Sequence, residues 1–306
     1  GLVIAWNDEQ AAKIPAIAEK ARANGVETVR VADPNELEPH LGPGALEGLL
    51  VEGESITCPF TPPLAYAATA LANGVDVVRG TEVRSRPTAG LVINAAGLGA
   101  DRIDALYGKK HFTLRPRKGE FLVYDKAARP LVNHILLPIP TAYTKGVLVA
   151  PTAFGNVLVG PTAVEVEDQR DVATTREGLR GLVEAGQRIV PGLAGYPVTS
   201  TYAGLRAATE YSDYQIHFYP EEGYVSVGGI RSTGLSAALG IAEYVVGELK
   251  LGLTRRREWR PVRLPPLTAL EPRLCERAEA VAARPAYGAV VCHCEWTSRG
   301  EIGDAL

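Results

Sequence analysis

The amino-acid sequence predicts an α/β fold (α+β) that combines an antiparallel sheet with strand–turn–helix units. Between residues 121 and 161, short runs of β-forming residues are broken by proline and glycine, which is typical of hairpin-linked strands. Between residues 224 and 249, a strand, a glycine-rich turn and an amphipathic helix follow one another. The chain has 306 residues, 46% of them hydrophobic and 22% charged, which is enough for more than one core.

The first part of the chain predicts two strands around a helix. Residues 2–6 form an apolar run typical of a strand, and residues 26–31 form another. The stretch between them is helical up to Asn24, with Pro15 near a helix start and Gly25 as the stop.

Residues 63–97 predict a helix followed by short strands. The helix covers residues 63–72 and buries a face that contains Leu64 and Leu71. Short strands are expected at residues 75–78 and 82–84. The run Leu91–Gly97 reads as a strand buried on both faces, and it ends in Ala95, Ala96 and Gly97, small residues that let a ligand approach the backbone. A buried strand with a tight turn and no ligand explains this run equally well.

The middle of the chain predicts an antiparallel sheet and one helix. A hairpin turn at Phe154–Asn156 joins the last two strands, and a helix with one apolar face is expected over residues 174–189. The expected strands are Phe121–Tyr124, Ile135–Leu137, Val147–Ala150 and Val157–Val159.

The turn after the strand at residues 224–227 is the most informative segment. Its glycines expose backbone N–H groups, and the N-terminus of the following helix favours an anion. Such turns also contain glycine for conformational reasons alone. The apolar face of that helix is expected to comprise Leu235, Ala238, Leu239, Ala242, Val246 and Leu249.

Charge and cysteine content exclude several protein classes. The chain has 32 basic and 35 acidic residues, a net charge of -3 that gives no reason to expect nucleic acid as a partner. The basic and proline-rich stretch from Arg255 to Pro266 is read as a linker between domains. The 4 cysteines are too few for a secreted disulfide framework, which favours a reducing compartment.

The chain contains no methionine and opens without a signal peptide or membrane anchor. We therefore expect the sequence to be incomplete, and we expect a cytoplasmic protein or one held peripherally at the inner face of a membrane.

Four segments together resemble the FAD-dependent oxidoreductases of the D-amino-acid oxidase and glycerol-3-phosphate dehydrogenase superfamily. They are Leu91–Asp101, Arg115–Glu120, Gly204–Arg206 and Gly228–Leu235. The resemblance covers about residues 1–252 and implies a Rossmann-like FAD-binding domain plus an antiparallel-sheet substrate domain. No GxGxxG turn precedes Leu2, so we expect the FAD-binding domain to be incomplete in this sequence.

The C-terminal residues resemble the start of a bacterioferritin-associated-ferredoxin-like [2Fe-2S] domain. Cys292 and Cys294 would bind the cluster, together with ligands that this sequence does not contain. Zinc is the other metal that such a pair could chelate.

The two resemblances imply a division of the chain into six parts. The FAD-binding domain takes residues 61–107 and 201–252, and the substrate domain takes mainly residues 1–60 together with residues 108–200. Residues 253–286 are the linker, and residues 287–306 begin the ferredoxin-like domain.

The family resemblance also implies the site residues. Arg206 would hold the carboxylate or phosphate of the substrate, with Tyr202 on the same strand face. Arg231 would face the flavin or the substrate. Independently of the resemblance, His134 is the candidate general base, because it lies at the start of a strand expected in the substrate domain. A structural ion pair for Arg206, a surface position for Arg231 and a structural role for His134 remain open. The residues expected to bind the cofactor are Ala95, Ala96, Gly97, Gly228, Gly229, Arg231, Ser232, Thr233, Gly234 and Leu235.

The function implied is oxidation of a secondary alcohol by hydride transfer to flavin N5, with glycerol 3-phosphate as the substrate. An L-2-hydroxyglutarate oxidase, or another hydroxy-acid or amino-acid oxidase, is the alternative within the fold. Two alternatives lie outside catalysis: a non-catalytic scaffold without FAD, and a metal-binding regulatory protein built around Cys292 and Cys294. The electron acceptor and any partner subunit are left open.

Overall fold

The computed structural model describes residues 1–140, 146–252, 254, 258–264, 273–293 and 295–306. The helices of this part are Asp8–Ala11 (α1), Ile14–Ala23 (α2), Thr61–Ala72 (α3), Ala100–Leu106 (α4), Arg176–Ile189 (α5), Gly234–Glu248 (α6), Ala278–Ala283 (α7) and Arg299–Ala305 (α8). The strands are Leu2–Ala5 (β1), Val29–Val31 (β2), Glu47–Leu50 (β3), Val92–Asn94 (β4), Arg117–Tyr124 (β5), Leu136–Pro138 (β6), Leu148–Pro151 (β7), Val157–Gly160 (β8), Val164–Glu165 (β9), Val198–Arg206 (β10), Gln215–Tyr219 (β11), Tyr224–Gly228 (β12), Val290–Cys292 (β13) and Thr297–Ser298 (β14).

A 9-stranded sheet forms the larger half of the molecule. Its strand order is β10-β5-β8-β7-β6-β1-β3-β2, and β9 pairs with β5 beyond the end of β8. All of its strand pairs are antiparallel except β1 with β6. The predicted antiparallel sheet and the predicted hairpin between β7 and β8 are therefore confirmed.

One face of this sheet is covered by α5. Leu182 of α5 is fully buried, and Gly186 lies so close to Val159 that an added methyl group would come within 3.0 Å of its side chain. The helix therefore packs directly on β8. The central core comprises Leu2, Ile4, Leu122, Tyr124, Ala128, Val132, Leu136, Val149, Val157, Val159, Leu182, Val190 and Leu193.

Glu120 is a buried carboxylate beneath this sheet, with 1% of its surface exposed. It accepts hydrogen bonds from the backbone N–H of Thr175, the residue before α5, and from the hydroxyl of Thr162 at 3.2 Å. The backbone N–H of Glu120 in turn donates to that same hydroxyl, at 2.9 Å. A negative charge at the start of a helix is favourable, so Glu120 fastens both α5 and the segment after β8 to β5.

A second sheet has the order β11-β12-β4 and carries α4 on one side. β4 and β12 are parallel, as in an open α/β sheet. The buried Asp104 of α4 accepts hydrogen bonds from Asn94, Tyr224 and Ser226. Three donors satisfy this carboxylate, which joins α4 to both parallel strands.

Three expectations for residues 61–97 are wrong. Residues 75–78 and 82–84 form no strands, because no described strand lies beside them to complete a ladder. Leu64 and Leu71 of α3 are each 54% exposed instead of buried. β4 is shorter than predicted, and Ile93 within it is 45% exposed, so this strand is not buried on both faces.

The apolar face predicted for α6 is also wrong. Leu239 and Val246 are 64% and 47% exposed, whereas Val245 is the buried residue of this helix. Val245 packs with Val225 and Val227 of β12. α6 is apolar on more than one face, so residue spacing alone could not identify the side that contacts the sheet.

The C-terminal residues form a small unit of their own. A β13–β14 hairpin lies beside α8, whose start is capped by Ser298 and Glu301. In the preceding segment, the backbone of Arg260 bonds to Asn73, the residue after α3, and the backbone N–H of Val262 donates to the hydroxyl of Thr69 in α3. Residues 255–257 and 265–266 of the predicted linker lie outside the described residues.

No helix among the described residues is long and apolar enough to cross a membrane. The uncharged stretch after Gly146 forms β7 and β8, as the sequence predicts.

Replacing Glu120 with alanine will lower stability. The E120A substitution leaves the backbone N–H of Thr175 and the hydroxyl of Thr162 without their buried acceptor, which costs about 3 kcal/mol in free energy of unfolding. Denaturant unfolding followed by circular dichroism measures this loss. Glu184 of α5 is 68% exposed, so E184A is the matched control and should change stability by about 0.5 kcal/mol or less. Equal effects of the two substitutions would contradict the role given to Glu120.

Candidate active site

The open face of the larger sheet carries a short row of side chains from β10 and β5. Tyr202 and Arg206 lie on one face of β10, as their spacing predicts, with Gly204 between them. Directly opposite on β5 lie Phe121 and Arg117. Cross-strand partners point to the same side of a sheet. The aromatic pair Tyr202–Phe121 and the arginine pair Arg206–Arg117 therefore lie on either side of two glycines, Gly204 and Gly119, which we call the glycine floor.

The glycine floor leaves room for Arg206. A methyl group at Gly119 would lie 2.6 Å from Nη2 of Arg206, whereas a methyl group at Gly204 would meet nothing within 4 Å. The guanidinium therefore rests over Gly119, and the space over Gly204 is open.

Arg206 lacks an acidic partner in this position. Its Nη1 donates to the carbonyl oxygen of Thr162 at 3.4 Å, and no carboxylate of the described residues lies within ion-pair distance. Burial, and secondarily the nearby charge of Arg117, lower the pKa of Arg206. A guanidinium remains protonated at neutral pH. Arg206 is thus a partly buried cation prepared for an external anion, and the structural ion pair that the sequence left open is absent from the described residues.

A cleft of about 440 Å³ opens beside these strands. Its lining includes Arg117, Thr162 and Glu165. Because the carbonyl oxygen of Thr162 contacts Arg206, the cleft lies next to that contact. This volume is sufficient for a small polyol phosphate or hydroxy acid.

Tyr202 stacks on Phe121 with ring centroids 5.0 Å apart. The tyrosine is 46% exposed, and partial burial raises the pKa of its hydroxyl. It is therefore a neutral hydrogen-bonding group at the opposite end of the glycine floor from Arg206.

The connection between β10 and β11 brings the glycine-rich turn to the Arg206 end of the sheet. Past the end of β10, Thr209 bridges to Leu114, and nearby Phe112 packs so closely on Gly228 that a methyl group there would lie 2.3 Å from the phenyl ring. Gly229 has a φ of +68°, which glycine adopts without the cost that other residues incur. The chain after Arg206 therefore runs toward the segment that packs against this turn.

The N-terminus of α6 offers backbone donors. The N–H groups of Gly234, Leu235 and Ser236 have no acceptor within the described part of the chain, and Thr233 does not cap the helix with its side chain. The hydroxyl of Thr233 is bonded to Tyr214 instead. Unpaired donors at the start of a 15-residue helix form an anion-stabilising site.

Arg231 does not reach the glycine floor. Its Nη2 donates to the carbonyl oxygen of Ser212 at 2.9 Å, in the connection between β10 and β11. This contact holds the connection against the turn, together with the Tyr214–Thr233 bond. Ser232 lies in the same turn.

The small residues after β4 form a tight turn. The backbone N–H of Ala96 donates to Oδ1 of Asn94, the φ of Gly97 is +56°, and Ala95 lies between them, directly after the strand. These residues follow the carboxyl end of β4, as the turn at Gly228 follows the end of the parallel strand β12. Ligands in open α/β sheets lie beyond strand ends of this kind.

His134 lies at the other end of the strands. Leu136 of β6 is in the same row across the sheet as Thr201 of β10, through β7, β8 and β5. His134 comes before this row along the strand direction, and Arg206 comes after it. The two residues are therefore about 7 residues, or about 23 Å, apart along the strands. Nδ1 of His134 is 2.7 Å from Oε1 of the buried Glu38. The structure thus places His134 apart from Arg206.

The predicted cluster ligands are only partly described. Cys292 ends β13, and Cys294 lies outside the described residues. Within the described part of the chain, no group of three His, Cys, Asp or Glu side chains is arranged to hold a metal ion.

Sequence comparison identifies the family. A family model described as FAD dependent oxidoreductase matches residues 1–247. The chain belongs to this family of flavin enzymes. This oxidoreductase is similar to a glycerol 3-phosphate dehydrogenase of Caloramator mitchellensis, with 30% identity over the whole chain and 68% of the relative. It is also similar to a glycerol 3-phosphate oxidase of Mycoplasma genitalium, with 28% identity over 85% of the chain and 75% of the relative.

Solved structures agree with this assignment. The oxidoreductase superimposes on an L-α-glycerophosphate oxidase from Mycoplasma pneumoniae with FAD bound, at a TM-score of 0.78 and 26% identity, over 86% of this chain and 76% of that one. Glycine oxidase from Geobacillus kaustophilus shares the fold, with a TM-score of 0.69 and 20% identity over 86% and 74% of the two chains. The predicted mixed α/β fold is confirmed.

The residues present fit a flavin cofactor at the helix terminus. The unpaired N–H groups at the start of α6, next to the left-handed Gly229, would stabilise negative charge on a flavin bound there. Sequence analysis identified this turn but missed Thr162 and Arg117. The pairing of β10 with β5 brings Arg117 to Arg206, and the hydrogen bonds with Glu120 hold Thr162 beside β5. No sequence spacing reports either arrangement.

Replacing Gly229 with alanine will strain the turn. The alanine would have space for its methyl group but would be held at a φ near +68°, which is unfavourable for any residue with a Cβ atom. G229A should therefore lower the free energy of unfolding by about 1 kcal/mol. Gly240 lies within α6 with nothing within 4 Å of an added methyl group, so G240A should raise stability by about 0.5–1 kcal/mol. Thermal unfolding measures both. A stabilised G229A protein would contradict the assigned backbone conformation.

Proposed function

We propose that this FAD-dependent oxidoreductase oxidises the secondary alcohol of a small anionic substrate, with glycerol 3-phosphate as that substrate. The observation that carries the proposal is Arg206, a partly buried guanidinium with no described carboxylate beside it, placed over a glycine floor next to a cleft. The glycerol 3-phosphate dehydrogenase and oxidases among the relatives support this substrate.

FAD would be held by the turn Gly228–Leu235 and by the small residues Ala95–Gly97. When bound, the flavin supplies an acceptor for hydride at its N5 atom. The N–H groups at the start of α6 stabilise negative charge next to the turn, an arrangement that needs no reorganisation during the reaction. Arg231 holds the connection after β10 against this turn through Ser212.

Arg206 binds and orients the anionic end of the substrate through its planar fork of donors. Tyr202 offers its hydroxyl at the other end of the open space over Gly204. A substrate with its anion on Arg206 therefore lies along the glycine floor, with its alcohol carbon toward Tyr202. No histidine lines the cleft among the described residues, and we assign no proton transfer to His134.

A hydroxy-acid substrate is the second candidate. Arg206 would bind a carboxylate as readily as a phosphate, because the guanidinium fork fits both groups. L-2-hydroxyglutarate dehydrogenase of Escherichia coli is 27% identical over 58% of this chain. Measuring oxidation of glycerol 3-phosphate and L-2-hydroxyglutarate side by side distinguishes the two candidates.

The described residues do not make a [2Fe-2S] site. Cys292 is their one predicted ligand for a cluster. We therefore assign no electron-transfer step to a cluster and leave the electron acceptor to experiment.

The purified protein should contain flavin. We expect an absorbance spectrum with the flavin bands between 300 and 600 nm, and we expect those bands to bleach when glycerol 3-phosphate is added without an electron acceptor. A colourless protein that does not take up added FAD would support the non-catalytic scaffold instead.

Replacing Arg206 will weaken substrate use. R206Q removes the charge that holds the substrate anion, so kcat/KM should fall about 100-fold, and R206K should recover part of the loss through its single ammonium group. Steady-state kinetics measures this, with R180Q on the surface of α5 as the control, because the side chain of Arg180 is 80% exposed. If R206Q and R180Q have equal kcat/KM, Arg206 is not the anchor.

A further inference from the structure

Three charged side chains form a row across the strands at the mouth of the cleft. Arg206 on β10 is directly opposite Arg117 on β5, and Arg117 is directly opposite Glu165 on β9. All three therefore lie on the open face of the sheet. We call Arg206, Arg117 and Glu165 the charged row.

The pairing of two arginines is unfavourable in itself. Like charges directly opposite on neighbouring strands repel each other, and the charge of Arg117 lowers the pKa of Arg206. No carboxylate of the described residues lies between the two guanidinium groups. Only Arg117 of this pair has a counter-ion among the described residues, and a local arrangement that costs stability is expected at a binding site. An external anion would remove this repulsion.

Glu165 is the internal counter-ion of Arg117. Its Oε1 is 3.1 Å from Nη2 of Arg117, and its side chain is 70% exposed while that of Arg117 is 32% exposed. An exposed ion pair of this kind contributes little to stability. The carboxylate can therefore leave Arg117 at small cost, and it lines the cleft into which a substrate would enter.

We propose that Arg117 is a second anion-binding residue of this site, and that a phosphate dianion displaces Glu165 from it, whereas a single carboxylate binds Arg206 alone. This inference rests on the proposed function, since it concerns the same cleft. It makes the charged row the feature that selects a phosphate-bearing substrate over a hydroxy acid. The reason is charge: two guanidinium groups match two negative charges, and one carboxylate satisfies only one of them.

The second charge of a phosphate ester gives the test its readout. That charge forms with a pKa of about 6, so glycerol 3-phosphate changes from monoanion to dianion between pH 5 and pH 7.5. Titration calorimetry at both pH values, on the purified protein, should show binding about 10-fold tighter at pH 7.5. In R117Q this gain should fall to less than about 2-fold, while the affinity for L-lactate stays within about 2-fold of the wild type.

Glu165 provides an independent arm of the experiment. E165Q removes the competing carboxylate without altering Arg117, so glycerol 3-phosphate should bind about 3-fold to 10-fold tighter. Glu184 is similarly exposed and paired with an arginine on the opposite side of the sheet, so E184Q is the matched control and should bind like the wild type. The inference is overturned if R117Q keeps the gain with pH, or if E165Q binds no tighter than E184Q.

Activity measurements separate this inference from the proposed function. A wild-type protein that binds glycerol 3-phosphate through Arg117 without oxidising it would leave the inference standing and contradict the proposed function. A protein that oxidises glycerol 3-phosphate equally well in the wild-type, R117Q and E165Q forms would confirm the function and overturn the inference.

Discussion

The buried carboxylate of Glu120 is the interaction on which both the larger sheet and the candidate site depend. It receives the backbone N–H at the start of α5 and the hydroxyl of Thr162. The first contact fixes the helix that covers one face of the sheet. The second fixes the segment between β8 and β9, in which the carbonyl oxygen of Thr162 accepts a hydrogen bond from Arg206 on the other face. The carboxylate of Glu120 thus connects the core on one face of the sheet with the candidate site on the other face.

Sequence patterns predicted the elements that are stabilised locally. The strands β5 to β8 follow from short runs of β-forming residues broken by proline and glycine, and the end of α5 follows from Pro191–Gly192 after its apolar face. The errors fall where an element depends on distant neighbours. Residues 75–78 have strand-forming composition without a described ladder partner, and α6 has apolar residues on several faces, of which only the side at Val245 meets a strand.

The same distinction between local and distant neighbours applies to the residues of the candidate site. The two-residue period of a strand was enough to place Tyr202 and Arg206 on one face, and family resemblance identified the turn at Gly228. Arg117 could not be predicted, because its place beside Arg206 depends on the register of two strands that are far apart in sequence. His134 was chosen for its place before a strand. The direction of that strand puts it far from Arg206, and Glu38 occupies its Nδ1.

The contact between Arg206 and the carbonyl oxygen of Thr162 is made by the main chain of Thr162. A backbone acceptor remains when the side chains around it are exchanged, so the contact with Arg206 needs only that position 162 keeps the hydroxyl that bonds to Glu120. The neighbouring side chains that line the cleft can therefore diverge while the anchor stays in place. A scaffold built in this way can change its preferred substrate through single replacements at the rim, which makes the site readily evolvable.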